Sequence, residues 1–444
     1  MSILYLAEKP SQARDIATAI GGVGRATGYI PVSGGNVTWA LGHLLEQAMP
    51  EAYNEAWGGR WSFDTLPMIP EVWKHTVVKQ KAGQVKIIRE LLKSASSVVI
   101  ATDAGREGEL IAREVLAHCK WRGPVKRLWT SSLVQSDIKR ALNALQPGKQ
   151  TEPLHEAALA RSHADWLYGM NGSRAVTLGA QNSGNHYPVG RVQTPTLAMV
   201  VRREWEIRNF VVVAYYELEA QVKSAGGSTF KMIHAPAEKD RIRDRAEADR
   251  RQQLAQGAKG ALDVKTEPKS ESPPLPYTLP ALQKDANRTL KLSARNTLKL
   301  AQELYEAKAI TYPRTDCQYL ATSQKGEVDP TLDRLALSYP AAVTAVRTAG
   351  VTLRDTTFND AKLTDHHGIC PTVQNVPLTG DAAKLFALIA ERYLRTVSPD
   401  CLFDRTVVLL DANTVPFRAT GKIITTPGFR SVKIVSEDED DSDE

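Results

Sequence analysis

Cysteine is scarce in this chain. Its 444 residues hold four, Cys119, Cys317, Cys370 and Cys401, and no two are spaced as Cys-x-x-Cys. That excludes a zinc ribbon, offers no disulfide framework and suits a reducing cytoplasm. Long apolar runs are also missing. The first, Ile3 to Ala7, is stopped by Glu8-Lys9, too soon for a signal peptide. No uninterrupted run approaches the roughly 20 residues that cross a bilayer, so neither a membrane nor a secreted location is expected. A Gly-x-x-x-x-Gly-Lys-Ser/Thr phosphate loop does not occur either, which removes the usual sign of ATP use. No internal repeat is visible.

What is present belongs to a soluble globular protein, with 42% hydrophobic and 24% charged residues. The length predicts two to four domains. Net charge is unevenly spread. Residues 437–444 carry seven acidic groups, and setting them aside takes the formal charge from +6 to +13. A body so basic favours a polyanionic partner. The acidic tail, self-repelling and without apolar residues, is expected to be disordered.

Residues 1–150 alternate between strand and helix patterns. Ile3 to Ala7 and Ser97 to Ala101 read as buried strands, each running into a carboxylate, Glu8 or Asp103. A helix follows the first strand, with Ser11 as cap and Ala13, Ile16, Ala17 and Ile20 on one face. The helix after the second turns Leu110, Ile111, Val115 and Leu116 inward. Two such strands suggest a parallel sheet with a site at its carboxyl edge. Residues 151–212 read as helical, interrupted by Gly190 to Pro195. Val211 to about Ile233 has β character. Glu238 to Gln256 reads as a solvated helix, and Pro268 to Pro280 as a linker. A helix with Ala294, Leu298, Ala301 and Tyr305 on one face and Ser293 as cap leads to Tyr312. Helices fill 330–396, and 402–436 returns to strands at Thr406 to Leu410 and Ser431 to Val435.

Three segments carry chemistry. Ile-Thr-Tyr-Pro-Arg-Thr-Asp-Cys, residues 310–317, sets a tyrosine two positions before an arginine across a proline. Tyrosine, with a pKa of about 10, needs a nearby cation to act as a nucleophile, and arginine is a planar, permanently charged phosphate grip. The pair suits covalent attack on a phosphodiester; taken alone, the segment reads as an ordinary surface turn after a helix, and only the company it keeps favours the chemistry. Glu8-Lys9-Pro10 closes the first strand and by itself is a solvated edge. Asp103-Ala-Gly-Arg-Glu107-Gly-Glu109 clusters carboxylates in a strand-to-helix turn. Without thiols or clustered histidines, that cluster suits a hard cation such as Mg²⁺. It reads equally as an acidic first turn complementing a helix dipole.

Together the segments resemble a known family. Ala7-Glu8-Lys9-Pro10-Ser11 followed by Ala101-Thr102-Asp103-x-x-Arg106-Glu107-Gly108-Glu109 resembles the toprim module of type IA DNA topoisomerases. Ala164-Asp165-Trp166-Leu167-Tyr168-Gly169-Met170-Asn171 and then Gly190-Arg191-Val192-Gln193-Thr194-Pro195-Thr196 look like their helical domain. Asp285-Ala286-Asn287-Arg288 and Thr311-Tyr312-Pro313-Arg314-Thr315-Asp316 look like the segment bearing the cleaving tyrosine, and Asp365-His366-His367-Gly368-Ile369-Cys370-Pro371-Thr372 like the later histidine motif. These segments stand in family order from residue 7 to 372, and within the family they most resemble those of bacterial topoisomerase III.

The resemblance implies a multi-domain α/β plus α+β fold: a toprim parallel-sheet domain (1–150), the first part of a helical gate and single-strand-binding domain (151–212), the outgoing β-rich arch (213–275), a mostly helical cap with the tyrosine (276–397), the returning arch (398–436) and the acidic tail (437–444). The arch and cap belong to a type IA toroid. The implied activity is ATP-independent cleavage of one DNA strand through a 5′-phosphotyrosine, strand passage and rejoining, giving relaxation or decatenation. Tyr312 would be the nucleophile and Arg314 and Lys9 would stabilise the phosphate. Glu8 would move the proton and His366 orient the strand. Mg²⁺ would lie on Glu8, Asp103 and Glu107, and Arg191, Gln193, Thr194 and Arg288 would contact DNA. The implied partners are single-stranded DNA, negatively supercoiled or catenated duplex, and a helicase or single-strand-binding protein. A monomer in the cytoplasm, associated with nucleoid or plasmid DNA, is expected.

Two departures stand out. The family pattern Asp-x-Asp-x-Glu has Gly105 at its second aspartate here, which predicts weaker Mg²⁺ binding. The chain also reads as the first two thirds of the enzyme, ending within the returning arch. One alternative is therefore a truncated relative that binds single-stranded DNA without completing strand passage. A toprim nuclease or primase is the other, and it would not need the Tyr312 and His366 segments.

Overall fold

A computed structural model describes residues 2–22, 24, 26–130, 133, 135–180, 184–234, 241–364 and 366–435. The acidic tail at 437–444, Asp365 of the histidine motif and Glu238 to Asp240 of the charged stretch lie outside them. The chain divides into two compact units. One comprises Met1–Trp205, Arg314–Ser323 and Asn359–Gly368; the other comprises Glu206–Pro313, Gln324–Phe358 and Ile369–Glu444.

The first unit is built on β1 (Ile3–Ala7), α1 (Pro10–Ile20), β2 (Tyr29–Val32), β3 (Gly35–Trp39), β4 (Leu45–Gln47), β5 (His75–Val77), α2 (Ala82–Ser94), β6 (Ser97–Ala101), α3 (Arg106–His118), β7 (Val125–Arg127), α4 (Gln135–Asn143), β8 (Gln146–Pro147), α5 (Glu152–Gly179) and α6 (Gln193–Arg208). Its six-stranded sheet has the order β2-β3-β1-β6-β7-β8. At its centre β1 runs parallel to both β3 and β6, with Ala7 level with Ala101. Side chains alternate across this sheet. Leu4, Leu6, Val98 and Ile100 pack with Ile88, Ile111 and Val115 on one face. Tyr5, Ala7, Val99 and Ala101 pack with Ala13, Ile16 and Ile138 on the other. Helices on both faces explain why both strands are apolar throughout. Truncating Leu6 or Ile100 to alanine should cost roughly 2–5 kcal/mol.

Helix α1 starts earlier than Ser11. Lys9 is the N-cap, extended at φ −142°, and Pro10 takes the first helical position, where a missing N–H costs nothing. The antiparallel β2–β3 pair escaped the strand patterns. Helix α5 holds the first unit's long loop: Trp166 donates from Nε1 to the Ala48 carbonyl at 2.9 Å. Asn171 accepts from Met68 N–H at 2.6 Å and donates to its carbonyl at 3.0 Å. The interruption expected at Gly190 to Pro195 ends at Gln193. Pro195 lies in the first turn of α6, where backbone N–H groups have no intrahelical acceptor.

The second unit contains β9 (Glu219–Lys223), β10 (Thr229–Ile233), α7 (Arg245–Ala255), β11 (Leu262–Glu271), α8 (Leu279–Leu290), α9 (Ala294–Glu306), α10 (Val328–Ala336), α11 (Pro340–Ala349), α12 (Gly380–Thr396), β12 (Cys401–Ala412) and β13 (Val415–Thr426). A five-stranded antiparallel sheet has the order β11-β12-β13-β10-β9. Val211 to Val213, expected as strand, are exposed and irregular; an isolated bridge from Tyr216 to Ile242 comes first, and the first strand begins at Glu219. The proposed linker is shorter than Pro268 to Pro280. Pro268 belongs to β11, an edge strand that tolerates a missing donor, and Pro280 sits in the first turn of α8. Ser293 caps α9 as expected, accepting from Asn296 N–H, but its fully buried face is Thr297, Ala301 and Leu304. Residues 351–379 are largely irregular rather than helical, and 431–435 form no strand. Among the described residues no helix is long and apolar enough to cross a membrane.

Candidate active site

Two strand ends place Glu8 and Asp103 side by side. Because β1 and β6 are parallel and in register, the residues after Ala7 and Ala101 emerge at one sheet edge. The Asp103 N–H donates to Glu8 Oε2 at 3.3 Å. Helix α1 adds Gln12, which accepts from Glu8 N–H at 2.8 Å and donates from Nε2 to Asp103 Oδ1 at 2.9 Å. Lys9 Nζ donates to Asp103 Oδ2 at 3.3 Å, and His366 Nε2 lies 3.2 Å from the same oxygen.

These contacts separate the two carboxyls. Burial, with the Asp103 charge beside it, pushes Glu8 up to about 7 despite Lys9. Burial also acts to raise Asp103, but the His366 hydrogen bond and the Lys9 charge outweigh it and hold that carboxyl well below the usual range. A carboxyl that carries a proton near neutrality beside one that stays ionised is a pattern suited to proton transfer.

Beneath them lies a fully buried ion pair. Arg127, at the end of β7, donates from Nε to Glu109 Oε1 at 2.5 Å, both side chains being 0% exposed. Its other nitrogens donate to the Thr102 carbonyl at 2.8 Å and the Asp103 carbonyl at 2.6 Å. Glu109 also accepts from Arg113 at 2.8 Å and Thr151 at 3.0 Å. The last carboxylate of the acidic motif therefore braces the loop from inside. Gly108 is required by the same packing, since a Cβ there would lie 2.1 Å from the Asp103 carbonyl oxygen.

Glu107 takes a different course. Its side chain is 64% exposed and meets His43 Nε2 at 2.5 Å. His43 also lies 3.7 Å from Glu114. Hydrogen bonds to Glu107 and Glu114 push His43 up to about 9, and the bond to His43 holds Glu107 below its ordinary value. Glu8 and Asp103 are thus together, with Glu107 occupied by a histidine. Among the described residues no three His, Cys, Asp or Glu side chains converge as metal ligands. The Glu8 and Asp103 oxygens still suit a hard cation, whose charge would relieve the repulsion that raises Glu8.

Within the first unit, the segments 314–323 and 359–368 are tied together: Gly368 N–H donates to the Tyr319 carbonyl at 2.8 Å, and Thr364 Oγ1 to Asp316 Oδ1 at 3.2 Å. Arg314 is exposed. Arg191 donates to Asp165 at 2.6 Å, and Thr194 Oγ1 accepts from Gly190 N–H at 3.0 Å, while Gln193 opens α6, exposed. Tyr312 belongs to the second unit, half-buried, with its ring edge-on to Tyr305 at 5.3 Å. Its stem is held by an antiparallel pairing with the histidine motif: Thr311 N–H donates to the Cys370 carbonyl, Cys370 N–H to Thr311 Oγ1, and Thr372 N–H to the Ala309 carbonyl, each at 3.0 Å. Arg288 is exposed, near the end of α8 and 3.9 Å from Asp285.

Gln12, Arg127 and His43 were not anticipated. Gln12 stands three residues after the helix cap, where Gln side chains turn back to the chain start, whereas Arg127 follows Lys126 in a three-residue strand and reads as one more surface cation. His43 has no comparable signal.

A twisted mostly parallel sheet with paired carboxyls at its edge, followed by helical and antiparallel-sheet regions, matches two family models: the Toprim domain over residues 3–133 and DNA topoisomerase over 149–444. The chain belongs to the type IA DNA topoisomerases, a family of ATP-independent isomerases of DNA. It is similar to DNA topoisomerase 3 of Vibrio cholerae (36% identity, covering 100% of this chain and 72% of the relative). It is likewise similar to DNA topoisomerase 3 of Bacillus subtilis (37%, 99% and 61%) and of Shouchella clausii (39%, 98% and 60%). The chain therefore spans about three fifths of the length of the latter two. Full-length topoisomerase I from Thermotoga maritima shares the fold at a TM-score of 0.65 and 21% identity, over 98% of this chain and 68% of that one.

Proposed function

We propose that this chain cleaves single-stranded DNA by attack of the Tyr312 hydroxyl on a backbone phosphate, forming a 5′-phosphotyrosine and releasing a 3′-hydroxyl. Rejoining reverses the step, because the covalent bond keeps the energy of the broken one and no ATP is consumed. The observation that carries this reading is the opposed pair of carboxyls. Glu8, raised to about 7, can give a proton to the leaving 3′-oxygen and take it back. Asp103 remains an anion that holds Lys9 and His366.

Lys9 and Arg314 supply positive charge for the phosphate, as a point charge and as a fork respectively. His366 orients the cleaved strand. Glu8, Asp103 and Glu107 would hold Mg²⁺, with Glu107 exchanging His43 for the cation. Bound there, the ion would offset negative charge at the scissile phosphate during rejoining. Arg191, Gln193, Thr194 and Arg288 serve the DNA strand. The domain division set out from the sequence, a monomeric state, a place on nucleoid or plasmid DNA, action on supercoiled or catenated duplex, and cooperation with a helicase or single-strand-binding protein complete the proposal.

The test uses end-labelled single-stranded oligonucleotide with Mg²⁺, resolved on denaturing gels. A 3′-labelled fragment should run as a protein adduct and the 5′-labelled one should be released. Tyr312→Phe should lose the adduct while strand binding stays within a small factor. An adduct in the Tyr312→Phe protein would sink the assignment. Relaxation of negatively supercoiled plasmid decides strand passage: adduct formation with unchanged plasmid topology would favour the alternative, a relative that engages single strands without passing one.

A further inference from the structure

The antiparallel sheet of the second unit carries a cavity of about 460 Å³ that the cleavage chemistry does not use. Helix α7 contributes Arg250, Arg251 and Leu254 to its lining, the end of β10 contributes His234, and β13 contributes Phe417 and Arg418. The size falls within the roughly 300–1,000 Å³ of small-ligand sites.

His234 is the telling residue. Its backbone N–H is fixed on the Leu218 carbonyl at 2.9 Å, and its ring sits edge-on to Phe417 at 6.1 Å. Only 4% of the residue is exposed. Arg251 Nη1 lies 3.4 Å from Nε2, and a guanidinium can only donate, so Nε2 is the acceptor. The ring, held neutral by burial and by the Arg251 charge, then carries its proton on Nδ1. That nitrogen is buried with no hydrogen-bond partner among the described residues. An orphaned buried donor calls for an acceptor.

The surrounding charge agrees. Glu247 accepts from Arg250 at 2.7 and 2.9 Å and from Arg251 at 2.7 Å. Arg418, on the strand opposite, is exposed and brings a third guanidinium. Three arginines line the cavity, two of them sharing the Glu247 carboxylate, while Leu254 and Phe417 leave part of the wall apolar. A bare inorganic anion would use only the cationic side.

We propose that this cavity is a nucleotide site, taking a phosphate against the three arginines and the His234 Nδ1–H and a base or sugar against Leu254 and Phe417. The phosphate belongs either to a free mononucleotide or to one unit of a DNA strand. Its lining residues all belong to the second unit, and its test does not depend on cleavage.

Isothermal titration of the Tyr312→Phe chain with 2′-deoxyadenosine 5′-monophosphate should show one site, with deoxyadenosine and inorganic phosphate each much weaker. Arg418→Gln should weaken the monophosphate about tenfold, the loss expected for one charge-assisted hydrogen bond. His234→Gln should weaken it severalfold with an unchanged melting temperature, and its Nδ1–H proton signal should move on binding in the unsubstituted ring. If a short oligodeoxyadenylate displaces the monophosphate with the same sensitivity to Arg418→Gln, a strand unit is the occupant; if it does not, a free nucleotide is. No binding of the monophosphate, binding indifferent to both substitutions, or inorganic phosphate binding as tightly would each overturn the proposal.

Discussion

His366 Nε2 lies 3.2 Å from Asp103 Oδ2, joining the histidine motif to the end of the second central strand. The same carboxylate accepts from Lys9 and Gln12. An anion so well supplied with donors stays an anion, and its charge helps keep a proton on Glu8. The two acids therefore differ in state because of their neighbours, although both end a buried parallel strand.

A first expectation concerns stability against pH. Glu8 is raised from 4.5 to about 7, so its contribution is fully present below pH 4.5 and is lost as pH rises through about 7. Asp103 has the opposite sign: its contribution is present above 3.8 and lost as pH falls through its depressed value. From about pH 4.5 to pH 7 the Glu8 contribution falls by on the order of 2 kcal/mol after screening, and above pH 6.5 the raised His43 adds a fall of the same sign. Glu8→Gln should flatten the fall in stability over that range in metal-free urea titrations. An equally steep fall in the variant would show that Glu8 is not its source.

The buried pair under the loop should be costly to break. Arg127→Met removes the fully buried cation from one Glu109 oxygen, leaving Arg113 on the other, and takes a donor from the carbonyls of Ile100, Thr102, Asp103 and Leu128, which should cost about 3–5 kcal/mol. Adding Glu109→Leu should restore part of the loss, because the buried carboxylate then held by Arg113 alone is gone. Chemical denaturation of the single and double variants checks this, and additive losses would count against a coupled pair.

Gly105 and Gly108, three residues apart, should respond in opposite ways. Gly105 is the N-cap of α3 at φ −167°, an extended conformation any residue adopts. Gly105→Asp should stabilise the helix start by about 0.3 kcal/mol and lower the Mg²⁺ needed for half-maximal rejoining. Gly108→Ala would drive a methyl into the Asp103 carbonyl, costing about 1–3 kcal/mol and displacing the loop. Asp103→Ala should raise the Mg²⁺ requirement or abolish the response. Overlapping magnesium titrations for the parent, Gly105→Asp and Asp103→Ala would remove the metal role from this loop.

Arg314 offers a separable test of phosphate contact. Arg314→Lys keeps the charge and loses the bidentate fork. Since Arg314 is exposed, cleavage should slow by about tenfold or more with the melting temperature held. Parallel losses of stability and activity would make it a structural arginine.

Local pattern determined a good deal of this protein. The apolar runs at Ile3 to Ala7 and Ser97 to Ala101 are strands because both faces of the sheet are covered. Ser293 caps its helix through a contact three residues away. Such features depend on neighbours within a turn or two, and the sequence displays them directly. Pro268 misled because a proline looks the same in a linker and in an edge strand; only the order of strands tells them apart. The long-range partnerships were equally hidden. Glu107 and Glu109 stand two positions apart in one acidic motif, yet Glu107 reaches His43 at the surface and Glu109 is sealed against Arg127. Helical rotation points adjacent carboxylates to different sides, and what waits on each side is brought there by distant chain. Composition and spacing announce the carboxylates; the tertiary structure decides which of them braces the loop, which meets a histidine and which holds a proton.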